Sequence, residues 1–99
     1  MTVQILKQSA ANDPAPAADL SPELKALWLA KAGRWEESHQ IAQDIPGRMG
    51  SWIHALLHLI EGDTGNAGYW FREAGRPVVG VKEIDAEWDR IAAELLPDT

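Results

Sequence analysis

The sequence predicts an all-α fold of about five helices, arranged as two antiparallel helical hairpins followed by a C-terminal capping helix. Apolar residues recur at steps of three and four along most of the chain, which is the spacing of a helix face. Capping residues, prolines and glycines mark the helix ends. A length of 99 residues suggests one domain, which we assign to residues 20–99 behind a flexible N-terminal arm of residues 1–19.

The arm contains one short apolar cluster, Val3, Ile5 and Leu6, that would dock as a strand-like or helical fragment. Residues 9–19 are rich in alanine, proline and aspartate and have no apolar periodicity. The two prolines in this stretch exclude a continuous helix. We therefore expect residues 9–19 to act as a mobile linker.

The first hairpin begins with a strong helix start, in which Ser21 is the cap and Pro22 takes the first helical position. Gly33 ends this helix, because glycine adopts the left-handed conformation at little steric cost. A second helix opens at Arg34 or Trp35 and ends at Pro46, followed by a glycine.

The second hairpin, residues 51–76, is the most informative stretch. Ser51 is the expected cap, and residues 52–60 are apolar except for His54 and His58, as in a helix buried on most sides. Gly62 ends this helix. The run is too short to span a bilayer, which needs about 20 apolar residues.

Two further helices complete the prediction. Asp63 caps the second helix of the hairpin, whose apolar stripe ends before Pro77. A last helix over residues 82–96 has one apolar face, formed by Ile84, Trp88, Ile91 and Leu95. All five tryptophans fall at positions expected to be buried, where each contributes a large apolar area to a small core.

A short internal repeat links the two hairpins. In each copy a glycine turn, Gly33 or Gly62, is followed five residues later by a small residue, Ser38 or Ala67. This pattern resembles the tetratricopeptide repeat, which implies stacked helical hairpins and a protein that binds other proteins or peptides. Neither copy has the full leading motif of that family, and the offset of 29 residues between the two glycines is shorter than the family's usual length of about 34.

Three phrases also resemble a group of small uncharacterised proteins from bacteria and fungi. They are WEESHQIAQ (residues 35–43), WIHALLHLIEG (residues 52–62) and NAGYWFREAGR (residues 66–76). This resemblance implies a compact helical domain and no particular activity.

Composition narrows the classes of function. The net charge of −6 argues against nucleic acid or an anionic membrane as the main partner. The chain has no cysteine, which fits a cytoplasmic location, and the N-terminal residues do not read as a signal peptide. Position 55 is alanine, so His54 and His58 do not form a metalloprotease HExxH motif. Because the sequence has no recognisable set of catalytic residues, it favours a function other than that of an enzyme.

The histidines are the first candidate site. His54 and His58 lie four residues apart, so their rings project from the same side of one helix. They could bind zinc or a similar divalent metal, or line a ligand pocket. His39 is the expected third ligand, and Glu36, Gln43 and Glu61 could take its place. The histidines could instead be structural and hydrogen-bond to neighbouring helices.

A second polar stripe follows Gly62. Tyr69 is expected to be exposed, and Arg72 and Arg76 are four residues apart, as in a clamp for a carboxylate or phosphate. Both arginines could instead pair with nearby acids on a solvated surface.

Two functions from different classes therefore follow from the sequence. The first is a small helical interaction module that binds a protein, a peptide or a second copy of itself. The second is a metal-binding or small-molecule-binding protein that uses the three histidines.

Overall fold

The computed structural model describes residues 1–97, which form helices and turns without a strand. The prediction of an all-α fold is confirmed. The α-helices are α1 (Val3–Asn12), α2 (Pro22–Lys31), α3 (Trp35–Ala42), α4 (Gly47–Ile60), α5 (Thr64–Glu73) and α6 (Ile84–Leu95), and a 3-10 turn over Val81–Glu83 precedes α6. None of the helices in the described part of the chain is long and apolar enough to cross a membrane.

Helix α1 raises the number of helices from the expected five to six, and it lies within the stretch that the sequence assigns to an arm. Thr2 caps α1 by accepting a hydrogen bond from the Ile5 amide at 3.1 Å. Leu6 is fully buried, and α1 packs against α2 and α6. Ser9 accepts a 2.9 Å hydrogen bond from the indole of Trp28, which ties α1 to α2. The apolar cluster forms a helix because these two partners cover it.

Consecutive helices form two packed pairs, α2 with α3 and α4 with α5. Each pair is joined by a short turn in which Gly33 or Gly62 has a positive φ, of 79° and 84° respectively. Ser38 is fully buried between α3 and α2 and donates a 2.6 Å hydrogen bond to the Ala26 carbonyl. A small residue at this position therefore lets the two helices come close.

Helix α4 starts four residues earlier than the expected cap at Ser51. It begins at Gly47, directly after Pro46, and runs for 14 residues. Gly50 lies in its first turn against the backbone of Ile45, where a Cβ atom would collide with the Ile45 carbonyl. The proline–glycine pair thus turns the chain straight into the next helix, because Gly50 leaves room for the preceding segment.

Helices α2, α4 and α6 contact one another and enclose the core. Trp88 on α6 is buried and donates a 2.8 Å hydrogen bond to the Leu27 carbonyl on α2. Trp28 and Trp52 are also buried, as expected. Trp35 and Trp70 are only partly buried, because both lie at the edge of the core beside the histidines.

Candidate metal centre

The three histidines meet between α3 and α4. His54 and His58 project from the same side of α4, and their rings stack with centroids 4.8 Å apart. His39 on α3 faces both of them, with ring centroids 4.8 Å from His54 and 5.7 Å from His58. The structure thus brings together the three residues that the sequence singles out as ligands.

The ring nitrogens converge on one another. His39 Nε2 and His54 Nε2 are 3.1 Å apart, so one donates a hydrogen bond to the other. One ring nitrogen from each of the three histidines lies within 4.8 Å of the other two. In a tetrahedral site with metal–nitrogen bonds of about 2.1 Å, the nitrogens are about 3.4 Å apart. The His39–His54 pair already has nearly this spacing, and the distances from these two nitrogens to His58 need to shorten by about 1.4 Å at most.

Glu61 orients the third imidazole. Its carboxylate accepts a 2.7 Å hydrogen bond from His58 Nδ1. With Nδ1 carrying the proton, His58 Nε2 is free to coordinate a metal. A carboxylate behind a ligating histidine is the usual support in metal sites, where it fixes the tautomer and raises the basicity of the ring.

Glu36 and Gln43, which the sequence also offers as third ligands, do not join the imidazoles. Both are exposed, and neither hydrogen-bonds to a histidine in the described part of the chain. His58, Glu61 and Asp63 form a second triplet with ligand atoms close enough to share an ion. Its two carboxylates are exposed, whereas the three histidines are all at least partly buried.

Two tryptophans cover the outer faces of the imidazoles. The Trp35 ring stacks on His39 with centroids 4.8 Å apart and planes 10° from parallel. The Trp70 ring stacks on His54 at 4.1 Å, also 10° from parallel. Trp35 is itself fixed by a 2.6 Å hydrogen bond from its indole to the Leu57 carbonyl. These contacts restrict the rotation of the ligand rings, which is a requirement for a preorganised site.

The sequence predicts both tryptophans to be core residues, and this prediction does not include their stacking on the imidazoles. The spacing of Trp35 and His39, four residues apart on one helix, is a local signal that would have linked them. No local signal links Trp70 to His54, because these residues are on different helices.

Burial keeps His54 uncharged. Desolvation by burial, followed by electrostatic repulsion from His58 and then from His39, together lower the pKa of His54 from 6.5 to about 4. His54 is therefore neutral at neutral pH, which is the form that coordinates a metal.

Tyr69, Arg72 and Arg76 do not converge on the histidines as one group. Tyr69 is 49% exposed and packs edge-on against Trp70, at the rim of the cluster. Arg72 lies near Gly68 on its own helix. Arg76 instead stacks over Trp52, with its guanidinium carbon 3.8 Å from the ring centroid. The anion clamp formed by the two arginines stays a prediction.

The fold and this site define an all-helical protein with a cluster of three imidazoles between its central helices. No family model, curated protein or solved structure matches the chain. The resemblances to the tetratricopeptide repeat and to small bacterial and fungal proteins therefore stay predictions.

Proposed function

We propose that this protein binds one divalent transition-metal ion through His39, His54 and His58. The observation that carries the proposal is the convergence of three ring nitrogens within 4.8 Å of one another. Histidines that served only as structural struts would bond to the backbone or to acids of neighbouring helices. Here His39 and His54 instead bond to each other, and a metal ion would replace the proton that they share.

The ligand chemistry indicates the class of metal. Three imidazoles suit zinc, copper(II), nickel or cobalt, which prefer nitrogen donors. Calcium and magnesium prefer oxygen ligands and fit poorly. Three protein ligands leave a fourth position for water or a small molecule, whereas closed structural zinc sites use four protein ligands.

Metal titration of the untagged protein tests this proposal. The protein is first freed of metal with a chelator and then titrated with zinc, with calorimetry and native mass spectrometry as readouts. We expect one ion per chain, and a loss of affinity of at least about 100-fold in His54→Ala, because even supporting residues contribute 10- to 100-fold.

Gln40→Ala is the matched control, since Gln40 is an exposed residue on α3 beside His39 in sequence. It should bind zinc as tightly as the original chain. If His54→Ala binds zinc equally well, or if no zinc binds to the original chain, the proposal is wrong.

A second proposal is an interaction module that binds a protein, a peptide or a second copy of the chain. It is favoured by exposed apolar side chains in the connector before α6, where Val78 is 53% and Val81 is 51% exposed. Exposed apolar side chains are common singly, but neighbouring ones often mark contact surfaces. Light scattering that gives a clean monomer, with no partner recovered in pull-downs, would count against this proposal.

We infer further that the two helix pairs are stacked hairpins of the tetratricopeptide type, with α6 as the capping helix. Two similarities between the pairs support this inference. Gly33 and Gly62 both have a positive φ, and Ser38 and Ala67, five residues later, are both buried. A cytoplasmic location stays the expectation for this cysteine-free chain.

A further inference from the structure

A groove lies on the other side of α4 from the histidines. Trp52 is two residues before His54, and two residues rotate a helix by about 200°, so the two side chains point in nearly opposite directions. Two adjoining cavities, of about 550 and 260 Å³, share Trp52, Arg76 and Glu94 as lining residues. The larger cavity is within the range of small-molecule pockets, about 300–1,000 Å³.

The walls of the groove are held by polar contacts. The Trp52 indole donates a 2.7 Å hydrogen bond to Glu87, a carboxylate that is only 3% exposed. The Arg76 guanidinium covers the Trp52 ring and is anchored by Glu94. Trp52 therefore has a fixed position, which preorganises the larger cavity.

The remaining lining of the larger cavity is mainly apolar. Pro77 and Val79 come from the connector after α5, and Ala93 comes from α6. These three side chains offer a surface for an apolar body. The volume and the lining suit one or two fused rings.

The charges in the groove favour an anion. Glu87 pairs with Arg90, and Glu94 pairs with Arg76. Arg48 lines the smaller cavity, and its guanidinium has no ion pair or side-chain hydrogen bond with any residue between positions 1 and 97. Arg90 also pairs with Glu83. Among the described residues, Arg48 is therefore the lining arginine that has no acidic partner, in a chain whose net charge is −6.

We propose that this groove binds a small organic monocarboxylate with an apolar body of one or two fused rings. The apolar body lies against Val79 and Ala93 in the larger cavity. The carboxylate pairs with Arg48 in the smaller cavity, because this guanidinium has both of its hydrogen-bonding edges free. A single negative charge matches the single unpaired guanidinium of Arg48. The site is independent of the metal centre, which lies on the opposite face of α4.

Three probes that share one ring system test the ligand class. Naphthoate carries a carboxylate, naphthylmethanol is its neutral counterpart, and naphthyl phosphate carries a larger anion. Each is titrated into the full chain and followed by proton–nitrogen correlation NMR. We expect naphthoate to bind about five- to tenfold more tightly than naphthylmethanol, with shifts concentrated at the Trp52 indole, Val79 and Ala93.

Two arginine variants test the contact. Arg48→Gln should reduce naphthoate affinity about five- to tenfold, to that of naphthylmethanol, and should leave naphthylmethanol binding unchanged. Arg72→Gln removes the same charge from α5, where the side chain lines neither cavity, and should have no effect. Ala93→Phe, at an exposed position of α6, should fill the groove and abolish binding of all three probes.

Four outcomes would overturn the proposal. The first two are equal affinity for naphthoate and naphthylmethanol, and no binding of any probe at millimolar concentration. Tighter binding of naphthyl phosphate than of naphthoate would replace the carboxylate class by a phosphate class. An equal loss in Arg72→Gln and Arg48→Gln would assign the effect to overall charge or to the clamp of Arg72 and Arg76.

Discussion

Replacing Glu61 with glutamine removes the carboxylate that orients the His58 ring, and leaves all three proposed ligands in place. The Glu61–His58 hydrogen bond is 2.7 Å long and joins residues three positions apart at the end of α4. A neutral amide of the same shape accepts a weaker hydrogen bond from His58 Nδ1 and therefore orients the ring less firmly. We expect zinc affinity to fall about 10- to 100-fold, as for other supporting residues in metal sites.

This loss corresponds to about 1.4–2.7 kcal/mol of binding free energy. The effect on the metal-free protein should be smaller, below about 1 kcal/mol, because the Glu61 side chain is 38% exposed and solvent screens its interaction with His58. The two measurements are zinc affinity by calorimetry and the free energy of unfolding by urea titration, both at neutral pH.

Glu36→Gln provides the control, because it removes the same charge from an exposed position on α3. It should change zinc affinity less than about threefold through long-range electrostatics alone. Equal effects of Glu36→Gln and Glu61→Gln would refute a supporting role for Glu61. A loss in Glu61→Gln as large as that in His54→Ala would show that Glu61 is itself a ligand, as in the triplet with His58 and Asp63.

Three further predictions concern stability. Lowering the pH from 6.5 to about 4 should destabilise the metal-free protein by about 1–2 kcal/mol after solvent screening, because His54 then binds a proton in the unfolded state and not in the folded state. Above pH 6.5 His54 is neutral in both states and does not contribute to the pH dependence of stability. Urea titrations in which the free energy of unfolding depends less on pH in His54→Gln would verify the assignment. Ser9→Ala should lower the free energy of unfolding by about 1–2 kcal/mol, because the buried Trp28 indole loses its hydrogen-bond acceptor. An unchanged urea midpoint would argue against the docking of α1. Gly50→Ala should lower the melting temperature, because overpacking reduces the free energy of unfolding by about 1–3 kcal/mol. Gly65→Ala, in a helix with open space around this residue, should raise the free energy of unfolding by about 0.5–1 kcal/mol. Equal effects of the two substitutions would be inconsistent with the packing.

Local signals account for what could be predicted of the fold. Ser21 and Asp63 were expected as caps, and both accept a hydrogen bond from a backbone amide three residues later. Gly33 and Gly62 were expected to end helices, and both lie in turns with positive φ. These features depend on residues within one helical turn, so the sequence contains all of the information that they require.

The predicted start of α4 at Ser51 is wrong, because the true start depends on a contact outside the helix. Ser51 has the side chain of a cap, but the chain already turns into the helix at Gly47. This is allowed because Gly50 accommodates the Ile45 backbone. Similarly, the sequence of the apolar cluster in α1 is compatible with a helix or an extended strand. Its helical conformation depends on the contacts that α1 makes with α2 and α6.

The sequence by itself determined an all-α chain with His54 and His58 on one side of a helix, because both features follow from helical periodicity. Only the tertiary structure decided that His39 meets them, that Trp35 and Trp70 stack on the imidazoles, and that Arg76 covers Trp52 on the opposite side of α4. These contacts join different helices, and their geometry depends on how the helices rotate and pack against one another. The spacing of residues along the chain does not determine how the helices rotate.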